Sequence, residues 1–377
     1  MSGLTVAVVG LGFGEAFVPI YLAHPDVEHV VLVDSDEARR SRLAHTFGLA
    51  PGYGSFEQVL SDRAVDAIHV VTPVALHADM VAAGLAAKKH VASAVPMAVT
   101  LEDLDRLIAA EERSGRNYMM METAVYDREY RYVHRMYEAG QFGRLTLYRG
   151  VHIQNLDGFP SYWQGYPPMH YITHALSPVL SLLGTSVETV QARGAGTLTP
   201  ERTTGGFANP FPTEVGLFTL RGSDALAEVT MSFFQTARGY IEGFALYGDR
   251  SGVEWPVDNE GPLRVYEMTG PRAGGRGNQV SVRSVEPPDD DLDTLPAELR
   301  RFTRSGDIQV AGMPAPVSIR AAHGGSHPFL VNEFVCSIVQ GRPPAVNART
   351  AARWTAPGIC AHESALRNGA EVAIPSY

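Results

Sequence analysis

Cysteine is nearly absent: Cys336 and Cys360 are the only two in 377 residues. Two thiols with no metal-ligand spacing build no disulfide framework, so a reducing, cytoplasmic compartment is expected. No stretch approaches the roughly 18 uninterrupted apolar residues of a membrane-spanning helix, and no membrane partner is expected. The apolar start, Leu4 to Gly14, lacks the basic region and small-residue cleavage site of a signal peptide and reads as a first strand. Clustered Lys and Arg are missing too. With 31 basic against 41 acidic side chains and a net charge of -10, general binding to a phosphate backbone, hence a nucleic-acid partner, is excluded. Repeats and low-complexity tracts are absent, and the acidic run Asp289 to Asp291 reads as a solvated face.

What is present is an ordinary globular composition, 45% hydrophobic and 19% charged, at a length suited to two domains of about 100 to 200 residues. Over the first 120 or so residues strand and helix patterns alternate, with strands at Leu4 to Val9, Val30 to Val33, Ala67 to Val71, His90 to Ala92 and Asn117 to Met121. Helices follow at Glu15 to Ala23, Glu37 to Phe47, His77 to Ala87 and Leu101 to Arg113. This grammar predicts an α/β protein whose N-terminal domain, residues 1–123, is a doubly wound parallel sheet of Rossmann type, completing a six-strand pattern. From Leu145 on, longer alternating strands predict a second α/β domain, residues 124–377, with a largely antiparallel open sheet. Thr197 to Pro212 and Pro256 to Pro314 read as long loops, and two helices, His327 to Gln340 and Ala348 to Arg367, close the chain before a short strand Val372 to Pro375.

The first chemical signal is Gly10-Leu11-Gly12-Phe13-Gly14-Glu15, directly after a strand. Gly10 permits a tight turn and Gly12 lets a pyrophosphate approach the backbone, which points to a dinucleotide. The third glycine of the G-x-G-x-x-G pattern falls on Glu15, with Gly14 one position early. Asp34 ends the second strand about twenty residues on, where a carboxylate accepts from ribose hydroxyls, and this favours NAD over NADP. Glu122 follows an apolar strand at the carboxyl edge of the sheet, a position for the nicotinamide ribose or the substrate, or for a helix cap.

In the second domain, His170 and His174 stand four apart on one expected helix behind Pro167-Pro168, with Tyr171 between them. As metal ligands they lack an evident third partner, so no metal is expected. Trp163 and Tyr166 form a candidate aromatic platform for a sugar face, and His152 and Gln154 end a strand in the same region.

The order Val71-Thr72-Pro73, His77, Lys89-His90-Val91 and Pro96-Met97-Ala98 resembles the glucose-fructose oxidoreductase, inositol dehydrogenase and rhizopine-catabolism family over nearly the whole chain. That resemblance implies NAD as cofactor, with Thr72, Pro73 and His77 beside it, a sugar-like substrate, and a homodimer or homotetramer. The chain departs from the family's dehydrogenases in carrying Ala94-Val95-Pro96 where Glu-Lys-Pro is usual, so the lysine that assists proton transfer is missing. Met119-Met120-Met121-Glu122 with Tyr126, Tyr171-Ile172-Thr173-His174, and His323-Gly324-Gly325 look like the branch of NAD-dependent α-N-acetylgalactosaminidases. By that resemblance Tyr171, His174, His170, Tyr126 and His323 are the catalytic candidates. Three functions follow: glycoside hydrolysis assisted by transient oxidation at a ring carbon, expected to be C3; net sugar or cyclitol dehydrogenation releasing NADH; and NAD sensing without turnover.

Overall fold

A computed structural model describes residues 3–255, 261–288, 291–321 and 323–377. Its chain divides into two compact units, Met1–Asp127 with Asp289–Ala352, and Arg128–Pro288 with Arg353–Tyr377. No described helix is long and apolar enough to cross a membrane.

In the first unit, strands β1 (Leu4–Val9), β2 (Val27–Val33), β3 (Ala67–Val70), β4 (His90–Ser93) and β5 (Tyr118–Met120) form a parallel sheet in the order β2-β1-β3-β4-β5. The sheet has five strands rather than the expected six. Strands β1, β3, β4 and β5 are mostly buried, as parallel strands covered on both faces must be, while the edge strand β2 exposes Glu28 and His29. The expected helix Glu15 to Ala23 is replaced by a short turn of helix, Leu11–Gly14, and a helix Val18–Ala23 with Pro19 in its first turn.

The expected boundary near Thr123 is incomplete, because Asp289–Ala352 returns to the first unit. The reason lies in helix His327–Val339, whose Phe329, Leu330, Val331, Phe334 and Val335 are buried in one core with Val6, Val8, Leu11, Phe17 and Ile20. Each such side chain contributes about 1.5 to 3 kcal/mol on burial.

This core also holds imidazoles. His69 Nδ1 on β3 lies 3.2 Å from the Tyr21 hydroxyl, and the His327 ring centroid lies 4.4 Å from that of Phe17. Burial pushes the pKa of each down to about 3, with neighbouring histidines adding to the shift. Their folded values lie below the unfolded value near 6.5, so as pH falls the unfolded chain takes up protons first. Stability is therefore full above about pH 6.5 and is lost progressively toward pH 3, by about 2 kcal/mol per histidine between pH 7 and pH 5. Nε2 of His327 finds no hydrogen-bond partner among the described residues, so a phenyl ring replaces it without orphaning a partner. His327→Phe is expected to match the parent within about 1 kcal/mol at pH 7 and to recover about 2 kcal/mol of its loss at pH 5. Urea unfolding of both proteins at the two pH values measures this; equal losses would mean that His327 titrates normally when folded.

The second unit is built on one open sheet. Its strands β6 (Leu145–Gln154), β7 (Val187–Ala195), β8 (Thr213–Leu220), β9 (Leu226–Ser232), β10 (Tyr240–Gly248), β11 (Ser251–Glu254), β12 (Leu263–Gly270) and β13 (Gln279–Val285) run in the order β13-β12-β11-β10-β6-β9-β8-β7, with Val372–Ala373 at the last edge. Every pairing is antiparallel except β6 with β9, which is parallel. Much of the stretch expected as a loop from Pro256 to Pro314 is thus a pair of strands, β12 and β13, followed by short helices. Residues 256–260 of that stretch, and Asp289 and Asp290 of the acidic run, lie outside the described residues.

Candidate active site

The glycine-rich turn follows β1 in the middle of the parallel sheet, at the carboxyl ends where the chain switches sides and where dinucleotides bind in such folds. Gly10 has φ +91°, and a methyl group there would run into the carbonyl oxygen of Val71. A methyl at Gly12 would meet nothing within 4 Å, so the space above it is open to a pyrophosphate. A Cβ at Gly14 would stand only 3.1 Å from Val8 Cγ1, so the bare glycine allows the close packing that the displaced third glycine would serve. Phe13 is exposed, its ring 5.7 Å from that of His327 and 6.4 Å from that of His323.

Asp34 closes this site. Its Oδ2 accepts from the Leu11 amide at 2.8 Å and from Arg39 at 3.0 Å, and its Oδ1 from the Asp36 amide at 2.9 Å. Burial raises its pKa, but these donors outweigh burial and hold the carboxyl below the usual carboxylate range. A charged acceptor set on the turn suits a ribose diol and repels a 2′-phosphate. His77 is buried, with ring nitrogens 2.9 Å from the carbonyls of Pro96 and Thr72, so it braces the loop of Thr72 and Pro73 against the chain after β4. Burial keeps its pKa below the usual value despite both carbonyls. Glu122 is fully buried and accepts from the Ala124 amide at 2.9 Å, capping the turn after β5. Tyr126 ends that turn and packs against the core of this unit. His323 opens the turn His323–Gly325 beside Phe13 and His327.

The second unit gathers the other candidates on the inner face of its sheet. Along β6 Tyr148, Gly150 and His152 alternate inward and are buried. Helix Thr173–Leu183 lies against this face with nearly every residue buried, the mark of a helix covered all round. Gly150 is required, because any side chain would strike the carbonyl oxygen of Ala175, and the Tyr148 hydroxyl donates to that same oxygen at 2.7 Å. These contacts seat His174 over His152, with ring centroids 5.3 Å apart.

On the neighbouring strand Glu242 stands directly opposite His152 in register. Its Oε1 is 3.7 Å from His174 Nδ1, and its Oε2 accepts from the Tyr240 hydroxyl at 2.5 Å. Exposures of 1% for His152, 5% for His174 and 4% for Glu242 place the three out of bulk water. At that separation a carboxylate stabilises positive charge developing on the imidazole by about 4 kcal/mol gross at an effective dielectric of 20. Tyr171, half-buried, lies 5.0 Å from His174 and 5.8 Å from His152 between ring centroids, with Trp163 5.6 Å on its other side.

His170 goes elsewhere. Pro168–Tyr171 is a 3₁₀ turn and the α-helix starts at Thr173, so the expected shared face of His170 and His174 does not form. The His170 ring keeps some accessible surface and packs 5.1 Å from that of His362. Burial, then His362, push its pKa down to about 3. His362 Nδ1 sits 2.7 Å from Glu214 Oε1, and Glu214 Oε2 accepts from the Met169 amide at 2.8 Å, anchoring the turn that presents Tyr171. Tyr166 is 1% exposed, so it supports Trp163 and Tyr171 from behind instead of offering a sugar platform. Gln154, half-buried, pairs with Tyr240 at the end of β6.

Glu242 and Glu214 were not singled out from sequence. The signal existed: each is an acidic residue at an inward position of an alternating strand, where only apolar residues are expected unless a partner waits.

Sheet order, glycine turn and the Asp34 position define a nicotinamide-dinucleotide-binding protein of Rossmann type. Residues 4–122 match the oxidoreductase family with NAD-binding Rossmann fold. The chain is an NAD-dependent enzyme. A glycosyl hydrolase family 109 protein from Streptomyces niveus is 26% identical over 410 aligned residues, covering 100% of this chain and 78% of that protein. A second protein of that name, from Saccharopolyspora erythraea, is 24% identical over 400, covering 99% and 83%. The solved structure of levoglucosan dehydrogenase with NADH and L-sorbose superposes with a TM-score of 0.78 at 18% identity, covering 100% of both chains, a likeness of fold.

Proposed function

We propose that this enzyme cleaves a glycoside by transient oxidation of a sugar ring carbon, with Gly10, Gly12, Phe13, Gly14, Asp34 and the loop of Thr72 and Pro73 holding NAD. Bound NAD supplies the hydride acceptor and, later, the donor. The observation that carries the reading is the buried group of His152, His174 and Glu242 beside the half-buried Tyr171. Tyr171 is the group presented to the sugar: its phenol oxygen takes the hydroxyl proton as its own proton passes to the His174 imidazole, and the transfer reverses when the hydroxyl is restored. His174, backed by Glu242, supports the positive charge that proton movement leaves on the imidazole. Trp163 packs against the sugar's C–H face. A ring ketone acidifies the neighbouring C–H, so that proton and the aglycone oxygen leave together as the free alcohol, water then adds H and OH across the double bond so formed, and the ketone is reduced again. The relatives named glycosyl hydrolase family 109 support this choice over net dehydrogenation.

A face-to-face homo-oligomer fits the same reading. The outer side of the open sheet exposes Val215, Leu217, Leu226, Val280 and Val282, more apolar surface than a solvated face needs.

A panel of chromogenic α- and β-glycosides, neutral, amino and acidic, tests the function with aglycone release and absorbance of NADH read together. The expected result is release that requires NAD and leaves no lasting NADH. NADH accumulating with substrate, without release, would make the enzyme a dehydrogenase; NAD binding with neither signal across the panel would favour a sensor.

A further inference from the structure

Two imidazoles and one carboxylate packed together out of water are the donor set of borderline transition-metal ions. We propose that His152, His174 and Glu242 form a binding site for a divalent transition-metal ion, with Zn²⁺ the best match to the donors. One ligand atom from each residue lies within 4.8 Å of the others, and among the described residues this is the only such group of three. Zinc bonds of about 2.0 to 2.2 Å place tetrahedral donors about 3.3 to 3.6 Å apart around one ion, so capture needs a contraction of at most about 1.5 Å.

The fold supplies the rest of a built site. Glu242 and His152 are cross-strand neighbours on β10 and β6, which fixes two donors on rigid backbone. His174 is held above them by the contact of Gly150 and Tyr148 with Ala175. The Tyr240 hydroxyl occupies Glu242 Oε2 and leaves Oε1 facing His174, the outer contact that orients a ligating carboxylate. Pairing His174 with His170 exhausts the ligands at two, as the sequence suggested; pairing it with His152 and Glu242 supplies three. Three protein ligands leave a fourth position, the arrangement of a catalytic rather than a structural zinc site. Resting on the proposed reading, a bound ion stands in for the imidazolium as the positive charge beside Tyr171, with His174 a neutral ligand, and its open position takes the oxygen of the sugar hydroxyl, whose pKa a divalent charge lowers.

The test uses the untagged full chain with NAD, stripped with a chelator and titrated with Co²⁺, whose visible absorption reports low-symmetry coordination, then with Zn²⁺. One Co²⁺ per chain is expected, displaced by Zn²⁺. His152→Ala and Glu242→Gln are expected to weaken uptake at least tenfold, and His134→Gln, on the separate helix Arg128–Glu138 where the imidazole faces Glu138, to leave it unchanged. Thermal melts separate lost binding from lost folding, and the isosteric Glu242→Gln guards against collapse. No Co²⁺ band in the parent, or equal uptake by the folded variants, overturns the site. Uptake of metal without glycoside cleavage would sink the proposed function and leave the site standing; turnover by the stripped chain with no Co²⁺ uptake would do the reverse.

Discussion

Replacing His174 with alanine is expected to lower turnover by about three orders of magnitude while leaving NAD affinity within a few-fold of the parent, since a positioned proton-transfer group contributes about 10² to 10⁴. The two properties separate because His174 belongs to the second unit, whereas the glycine turn and Asp34 belong to the first. Truncation also leaves Glu242 without the imidazole 3.7 Å away, a buried carboxylate robbed of its counter-group, so some stability is lost with activity. His174→Gln restores bulk and a polar contact and is expected to recover the stability but not the rate. Steady-state kinetics on the cleaved glycoside, with NAD binding by calorimetry, give both numbers. A loss of kcat below tenfold in both variants would remove His174 from the chemistry.

The second large effect falls on the cofactor. Gly12→Val is expected to fold normally, because nothing lies within 4 Å of the added carbon, yet to weaken NAD at least 100-fold, about 2.7 kcal/mol, by filling the space the pyrophosphate needs. Gly10→Ala is the contrasting case: positive φ and the Val71 carbonyl make it costly to the fold itself, by a few kcal/mol. Calorimetric NAD titration and thermal melts of the two variants distinguish the effects. Tight NAD binding by a folded Gly12→Val protein would place the dinucleotide elsewhere.

The parallel sheet was legible because its strands are short apolar runs bounded by turns, and the glycine turn because backbone conformation demands the residue that stands there. Alternation made the region from Leu145 on readable, as far as β10, as a set of largely antiparallel strands. The arm of β12 and β13 was not, since it is interrupted by Gly and Pro and exposes Met268, Val280 and Val282 on a weakly patterned face. Nor could the return of Asp289–Ala352 be seen, because the apolar face of helix His327–Val339 shows that it is buried without naming against what. At the site, Tyr171 and His174 stood out through their motif. His170 misled because an i, i+4 spacing implies a shared face only if the α-helix has already begun, and here a 3₁₀ turn precedes it. Glu242 escaped notice since a cross-strand neighbour of His152 is set by register, which local pattern does not reveal.

The most direct test of the account is product analysis after turnover in D₂O. Oxidation followed by elimination predicts a sugar carrying deuterium from solvent at the carbon beside the one oxidised, and protium at the oxidised carbon itself, returned from the cofactor. A product with no carbon-bound deuterium, formed at the same rate, would mean direct displacement at the anomeric centre and would contradict transient oxidation as the route of cleavage.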